Sequence, residues 1–291
     1  MPDSESGFPP LVLTFAASDP SGGAGVQADL LTLASMGCHP LSVITALTVQ
    51  DSLGVEGVLP IDADWVADQA RCLLEDMPVD AFKVGVLGSV ENIAAIAEIV
   101  SDYPDVPLIL DPVLASGRGD ELASDEMTHA LRELLLPQTT IVTPNSHEAR
   151  RLAEADDDDE RPLADCAAKL VESGCEFVLV TGTHEATPQV VNTLYGKSGV
   201  VRSDSWPRLP GTYHGSGCTL ASAIAAMLAN GLDLPDAVRE AQEYTWQTLK
   251  KAYRPGMGQF LPDRLFWARE EADARGEEPQ APRAADARGS H

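Results

Sequence analysis

The chain has 291 residues, of which 44% are hydrophobic, enough for one large α/β domain or two small ones with a buried core. Its 45 acidic and 20 basic residues give a formal net charge of −25, which argues against nucleic acid or anionic lipid as partners because both would be repelled. The sequence shows no secretory signal, membrane span or Cys-x-x-Cys pair, and its five scattered cysteines predict reduced thiols in a cytoplasmic protein.

The predicted elements alternate between strands and helices. Mostly apolar runs predict strands at 11–16, 41–49, 81–87, 108–110, 140–142 and 177–181. Helical periodicity predicts helices at 26–36, 64–74, 90–100, 125–135 and 163–172. Another follows the glycine turn at 215–217 and ends at Asn230, and a last one runs from Leu234 to about Tyr253. Segments 190–195 and 200–205 predict an antiparallel hairpin at a sheet edge. This order predicts an α/β fold with a mostly parallel central sheet and helices on both faces.

The domain organisation is predicted to be simple. Residues 1–10 form a loose leader, and residues 11–268 form one domain. Residues 269–291 are charged and nearly free of large apolar groups, which is typical of a disordered tail.

A glycine turn stands before the helix that follows residue 216. Gly215, Ser216 and Gly217 precede a run of helix formers, and such a turn directs unpaired backbone N–H groups and the helix dipole at an anion such as phosphate. Cys218 falls in the first turn, where the helix start favours the thiolate, so it is a candidate base. The alternative is an ordinary turn and cap beside a buried cysteine. The stretch lacks the Gly-Lys-Ser/Thr of a Walker loop.

Polar side chains gather at the predicted carboxyl ends of the strands, where open parallel sheets bind ligands. They are Ser18, Asp19, Thr48, Gln50, Asp111, Asn145, Glu148 and Thr181, together with the glycines of 22–25. This clustering predicts one ligand site at that edge of the sheet.

Three of these residues suit a cation or phosphate. Asn145 and Glu148 could hold a hydrated Mg²⁺, but they could equally form a helix cap, with Glu148 completing a capping box. Asp111 could be a carboxylate on the metal or phosphate side, or a turn residue that accepts local N–H groups.

Two others suit an organic substrate. Gln50 ends an apolar run, and its amide could read the donor and acceptor edge of a heterocycle, or could simply be polar at a strand end. Asp29 lies inside the first helix and could bind a substrate hydroxyl, or could lie on an exposed helix face.

Several longer segments carry a family resemblance. They are 18–29 (SDPSGGAGVQAD), 42–50 (SVITALTVQ), 83–87 (KVGVL), 111–113 (DPV), 143–145 (TPN) with Glu148 and Ala149, and 214–220 (HGSGCTL). In this order the chain resembles the hydroxymethylpyrimidine/phosphomethylpyrimidine kinases of thiamine biosynthesis, within the ribokinase-like superfamily. The resemblance covers roughly residues 11–262 and implies a ribokinase-like three-layer α/β/α fold.

The resemblance also implies a reaction. The γ-phosphoryl of ATP would pass to the hydroxymethyl group of 4-amino-5-hydroxymethyl-2-methylpyrimidine, and a second transfer to the monophosphate would give the pyrophosphate. Cys218 stands where most ribokinase-like sugar kinases have an aspartate base, and Gly215, Ser216 and Gly217 would form the anion hole. A homodimer is a further expectation.

Binding residues follow from the same resemblance. The pyrimidine pocket would include Gln50, Ala24, Asp29 and Val113. The ATP side would include Asn145, Thr181 and Gly182, with Asn145 and Glu148 organising Mg²⁺. Glu148 and Asp111 would be the metal carboxylates.

The chain departs from the family pattern at four positions. Ala17 replaces a common glycine, and Val86 replaces a frequent methionine, which could alter the size of the pocket. Thr181 stands where many members have a lysine, and Thr183 replaces a glycine. Because of the change at Thr181, the resemblance implies no lysine contact with nucleotide phosphates at this position.

Two other functions stay open from the sequence. One is a kinase of pyridoxal or pyridoxine, since close relatives accept vitamin B6 compounds. The other is a non-catalytic sensor that binds the pyrimidine on the same fold. Gln50 and the Cys218 turn favour the pyrimidine, and an intact anion hole favours catalysis over sensing.

Overall fold

The structure is a computed structural model, and it describes residues 7–116, 119–154, 161–185 and 187–269. Most of the predicted leader and nearly all of the predicted tail lie outside these residues. Eight helices of the described chain are named α1 to α8 in chain order: Gly25–Ser35, Ala63–Asp76, Val90–Ser101, Asp125–Ala130, Ser146–Leu152, Leu163–Glu172, Ser216–Ala229 and Leu234–Lys250.

One sheet runs through the described chain. Its strands β1 to β9 are Leu11–Ser18, His39–Gln50, Val55–Pro60, Ala81–Val84, Leu108–Leu110, Ile141–Val142, Phe177–Val180, Gln189–Gly196 and Gly199–Pro207. The spatial order is β3-β2-β1-β4-β5-β6-β7-β8-β9. The six central strands, in the order β2-β1-β4-β5-β6-β7, pair in parallel, which confirms the mostly parallel sheet. The β8–β9 hairpin is antiparallel and confirms the predicted edge.

Both edges of the sheet are antiparallel, and the second one was not predicted. Strand β3 pairs with β2, with Leu47 opposite Leu59. Glu56, Gly57 and Pro60 break the apolar run of β3, because an edge strand needs neither continuous burial nor every backbone donor.

Side-chain alternation along the central strands creates three layers. In β1, Leu13 and Phe15 join a core with α2 to α6, whereas Val12 joins a core with α1, α7 and α8. In β5, Leu108 and Leu110 face the first core and Ile109 faces the second. The sheet is therefore buried on both faces, as an α/β fold requires.

One predicted helix has a different geometry. The segment 125–135 is α-helical only over Asp125–Ala130 and continues as a π-helical turn over Leu131–Leu135. None of the described helices combines the length and apolar character that crossing a membrane would need.

Candidate active site

The glycine turn lies at the start of α7. Gly215 is its N-terminal flanking residue, with a φ of 79°. A β-carbon at Gly215 would lie 1.9 Å from the carbonyl oxygen of Gly23, so only glycine fits there. No side chain of the described residues caps α7, which leaves its first N–H groups open to an anion. The turn thus packs directly against the loop that joins β1 to α1.

Cys218 lies in the first turn of α7 and is buried. Burial raises the pKa of its thiol to about 12, and Asp111 and Asp29 add to this, although Lys83 acts in the opposite direction. The prediction that the helix start lowers this pKa is therefore wrong, because loss of solvent outweighs the helix dipole. The thiol is protonated at neutral pH, and its role as base stays a prediction.

Asp111 follows β5 and lies beneath the start of α7. A β-carbon on Gly217 would be 3.6 Å from its Oδ1. Burial raises the pKa of Asp111, against the attraction of Lys83 and a hydrogen bond with Cys218. Within the described residues, its buried Oδ2 has no hydrogen-bond partner. A buried carboxylate oxygen without a donor is suited to a cation or a proton supplied by a ligand.

Asn145 and Glu148 form the capping box of α5. The Asn145 Oδ1 accepts from the backbone N–H groups of His147 at 2.9 Å and Glu148 at 3.0 Å, and Glu148 Oε2 accepts from Asn145 N at 3.0 Å. Glu148 Oε1 accepts from Leu114 N at 3.1 Å. Burial, with the charge of Asp111 nearby, raises the pKa of Glu148 to about 7. The capping alternative is confirmed, and the metal role of Glu148 stays a prediction.

Asp29 is fully buried, so the alternative of an exposed helix face is wrong. Its carboxylate is 2.9 Å from Lys83 Nζ and accepts from Thr14 Oγ1 at 2.6 Å and from Ser222 Oγ at 2.7 Å. These contacts occupy the carboxylate, and contact with a substrate stays a prediction. The sequence analysis assigned no role to Lys83, although Lys83 begins the family segment 83–87. A lysine inside an otherwise apolar strand is the pattern from which a buried ion pair could have been predicted.

Three of the predicted pyrimidine residues lie at the carboxyl ends of strands: Ala24 follows β1, Gln50 ends β2 and Val113 follows β5. Gln50 Nε2 donates to Thr48 Oγ1 at 2.7 Å, and Ala24 N donates to Asp19 Oδ2 at 2.7 Å. Val113 has a φ of 37°. A β-branched residue in this region stores about 1–3 kcal/mol of strain, which the surrounding structure must hold in place. Val113 lines a small cavity with Val86.

The predicted nucleotide residues follow β6 and β7. Thr181 forms a bridge with Asn145, and its N–H donates to the carbonyl of Pro144 at 2.9 Å. Gly182 N donates to Asn192 Oδ1 at 3.1 Å. That N–H is therefore not free for a phosphate, and sequence reasoning missed the role of Asn192.

The sequence analysis also missed a hydrogen bond between two distant loops, which joins Asp19 and His214. Asp19 is buried, and its Oδ2 is 2.8 Å from His214 Nε2. Burial acts to raise the pKa of Asp19, but hydrogen bonds with His214, Ser21 and Ala24 outweigh it and lower the pKa. This contact fixes the β1–α1 loop to the residue before Gly215.

Known proteins match most of the chain. A family model described as phosphomethylpyrimidine kinase matches residues 19–263. A hydroxymethylpyrimidine/phosphomethylpyrimidine kinase of Streptomyces coelicolor is 40% identical over 254 residues, which cover 86% of this chain and 92% of that protein.

Solved structures agree with this match. A phosphomethylpyrimidine kinase of Clostridium difficile has 33% identity and a TM-score of 0.72, and the match covers 82% of this chain and 99% of that one. The ADP complex of a Bacillus subtilis pyridoxal kinase has 29% identity and a TM-score of 0.81, covering 88% and 97%. With its family model matched over residues 19–263, the chain belongs to the phosphomethylpyrimidine kinase family and has the ribokinase-like fold.

Proposed function

We propose that this protein transfers the γ-phosphoryl group of ATP to 4-amino-5-hydroxymethyl-2-methylpyrimidine and then to its monophosphate, in thiamine biosynthesis. The observation that carries the proposal is the uncapped start of α7 beside the buried carboxylate of Asp111. The family match supplies the substrate class, because the Streptomyces relative is named for both phosphorylations. The five free cysteines suit a cytoplasmic location.

Phosphoryl transfer depends on positioning and charge neutralisation more than on covalent chemistry. The N–H groups of Ser216, Gly217 and Cys218 would neutralise the oxygens of the transferred group in a site sheltered from water. The Cys218 thiol would lie at the attacking hydroxyl. With its thiol protonated, Cys218 would orient the attacking hydroxyl through a hydrogen bond, and the hydroxyl proton would pass to an oxygen of the transferred phosphoryl group, because a loose transition state demands little from a base.

The residues present fit a Mg²⁺ ion. Asp111 and Glu148 supply hard carboxylate oxygens, and Asp111 Oδ2 has no partner among the described residues. No group of three ligating side chains occurs in the part of the chain that the structure describes, but Mg²⁺ commonly uses one or two carboxylates together with substrate phosphates and water. When bound, the ion would neutralise phosphate charge.

A kinase of pyridoxal is the second candidate. The TM-score of 0.81 to the Bacillus pyridoxal kinase favours it. Gln50 favours the aminopyrimidine, because its amide can both donate to and accept from an amino-substituted ring.

Competition kinetics test the proposal. Native protein and Cys218→Ala would be given ATP and Mg²⁺ with the hydroxymethylpyrimidine, its monophosphate or pyridoxal. We expect turnover of both pyrimidines with a higher kcat/KM than pyridoxal, and a lower kcat for both pyrimidines in Cys218→Ala, because the attacking hydroxyl loses a group that positions it. A higher kcat/KM for pyridoxal would contradict the proposal and identify the protein as a pyridoxal kinase. Tight pyrimidine binding without any turnover would contradict catalysis and favour a non-catalytic pyrimidine sensor.

We also propose that the protein forms a homodimer. Leu47, Val49 and Leu59 are exposed on the β2–β3 pair, where Leu47 lies opposite Leu59. An exposed apolar patch of this kind suits a second copy of the chain. Light scattering would give about twice the mass of one chain, and Leu59→Glu would lower it. A native protein with the mass of one chain would contradict the dimer.

A further inference from the structure

Arg264 is a buried cation outside the predicted site residues. Its side chain comes from the segment after α8, and the residue is 3% exposed. The Nη2 group donates to Gly23 O at 2.5 Å and to Gly215 O at 3.5 Å, while Nη1 donates to Gly22 O at 3.3 Å. Nε donates to Thr219 Oγ1 at 3.1 Å. One side chain therefore holds the β1–α1 loop and the first turn of α7 together.

Among the described residues Arg264 forms no ion pair, and the Asp29 carboxylate acts on its charge only from farther away. The acceptors of Arg264 are three backbone carbonyl oxygens and one hydroxyl. Burial lowers the pKa of Arg264, although negative groups such as Asp29 act in the opposite direction, and burying a cation costs free energy. Neutral donors could tie two loops together, so the tie alone does not account for a buried positive charge.

The acceptors of Arg264 connect it to the anion hole. The Gly215 carbonyl belongs to the same peptide unit as the Ser216 N–H, the first donor of α7. Thr219 Oγ1 also donates to this carbonyl, at 2.8 Å. Donors that fix a carbonyl orient the N–H at the opposite end of the peptide and polarise it toward an anion.

We propose that Arg264 is a positioning residue for phosphoryl transfer. It orients the Gly215–Ser216 peptide and places a positive charge that has no ion-pair partner among the described residues behind the anion hole, where the charge of the transferred phosphoryl group would pair with it. This inference rests on the proposed function. The charge of Arg264 and the planar geometry of its guanidinium act on kcat rather than on pyrimidine binding.

Kinetics of Arg264→Gln and Arg264→Lys test the inference. We expect Arg264→Gln to lower kcat about 10²-fold, comparable to the loss of one oxyanion-hole donor, with KM for the pyrimidine within about threefold of native. Arg264→Lys restores the charge without the planar guanidinium, and we expect it to recover about tenfold of that loss. The matched control is Arg269→Gln, since the exposed Arg269 side chain pairs with Asp263, the residue before Arg264, and its kcat should stay native.

A second variant covers the case in which Arg264→Gln does not fold. Thr219→Val keeps the volume of the side chain but removes both the acceptor of Arg264 Nε and a donor to Gly215 O. We expect kcat to fall about tenfold, again without a change in KM, because the peptide loses part of its orientation.

The outcomes separate this inference from the proposed function. A native protein that turns over the pyrimidine, with a native kcat in Arg264→Gln or in Thr219→Val, would overturn the inference alone. Equal losses of kcat in Arg264→Gln and Arg264→Lys would also overturn it, because the charge would then be irrelevant. A native protein without turnover would overturn the proposed function and this inference with it.

Discussion

Two buried cations, Lys83 and Arg264, flank the start of α7, and they differ in whether a carboxylate pairs with them. Lys83 lies 2.9 Å from the Asp29 carboxylate, and both side chains are fully buried. Burial alone would lower the pKa of Lys83, but the attraction of Asp29 outweighs it and raises the pKa. Arg264 has only neutral acceptors, and burial lowers its pKa. A paired cation is neutralised inside the protein, whereas an unpaired cation keeps its field for a ligand.

The difference assigns the two cations to different tasks. The Lys83–Asp29 pair is completed by hydroxyl groups of Thr14 and Ser222, so it links β1, β4, α1 and α7 in the core. Arg264 links loops at the edge where the reaction would occur. We therefore expect substitutions of Lys83 to act mainly on stability and substitutions of Arg264 mainly on turnover.

The largest effect on stability is expected for Lys83→Met. It leaves the Asp29 carboxylate buried without a cation, which should lower the free energy of unfolding by about 3–5 kcal/mol. The double variant Lys83→Met/Asp29→Asn removes both charges and should recover most of this loss. Urea denaturation measures the three proteins. A double variant as unstable as Lys83→Met would mean that the ion pair is not the source of the loss.

Gly215→Ala is expected to have the next largest effect, since it disturbs the turn that Arg264 holds. The added methyl group would meet the Gly23 carbonyl, and the φ of 79° is unfavourable for alanine, so we expect a loss of about 3 kcal/mol. Gly22→Ala is a matched control, because Gly22 has a φ of 72° with no atom within 4 Å of the added group. It should cost about 1 kcal/mol. Equal losses in urea denaturation would show that the close approach to Gly23 is unimportant.

His214→Gln tests the other tie to the β1–α1 loop. The pKa of Asp19 is lower in the folded protein, because its hydrogen bonds outweigh burial. Such a group adds stability above its unfolded pKa near 3.9 and loses it as the pH falls through the folded value. At pH 7 we expect His214→Gln to cost about 1.5–3 kcal/mol.

The cost of His214→Gln should shrink as the pH falls below about 4, measured by urea denaturation from pH 7 to pH 3. His39→Gln is the control, because His39 is exposed. A cost for His214→Gln that stays constant with pH would contradict the assigned role of Asp19.

The smallest effect is expected for an exposed ion pair. Arg71 and Glu98 are 3.0 Å apart, but their side chains are 47% and 74% exposed. Water screens the pair, so Arg71→Gln should change the free energy of unfolding by less than about 1 kcal/mol. A loss close to that of Lys83→Met would show that burial does not separate the ion pairs of this protein.

The sequence predicted the fold well where burial on both faces produces apolar runs. The strands β1, β5 and β7 lie within two residues of their predicted bounds. Strand β3 was missed because an edge strand can include Glu56, Gly57 and Pro60. The π-helical turn after Ala130 was also missed, because periodicity does not separate it from an α-helix.

The site was less predictable than the fold. The helix start suggested a lowered pKa for Cys218, but the burial that raises it depends on packing from other strands and helices. Arg264 could not be found at all, because it is 241 residues from the Gly23 carbonyl that it binds. Contacts of this kind exist only after the chain has folded.

The most direct test of the account follows the phosphorus atoms. ³¹P NMR of the native protein with ATP, Mg²⁺ and the hydroxymethylpyrimidine would report each phosphate separately. We expect ADP and a new phosphomonoester to appear first, followed by a pyrophosphate ester as the monophosphate is used. ATP resonances that stay unchanged over hours, in a sample where binding of the pyrimidine is detected, would contradict phosphoryl transfer by this site.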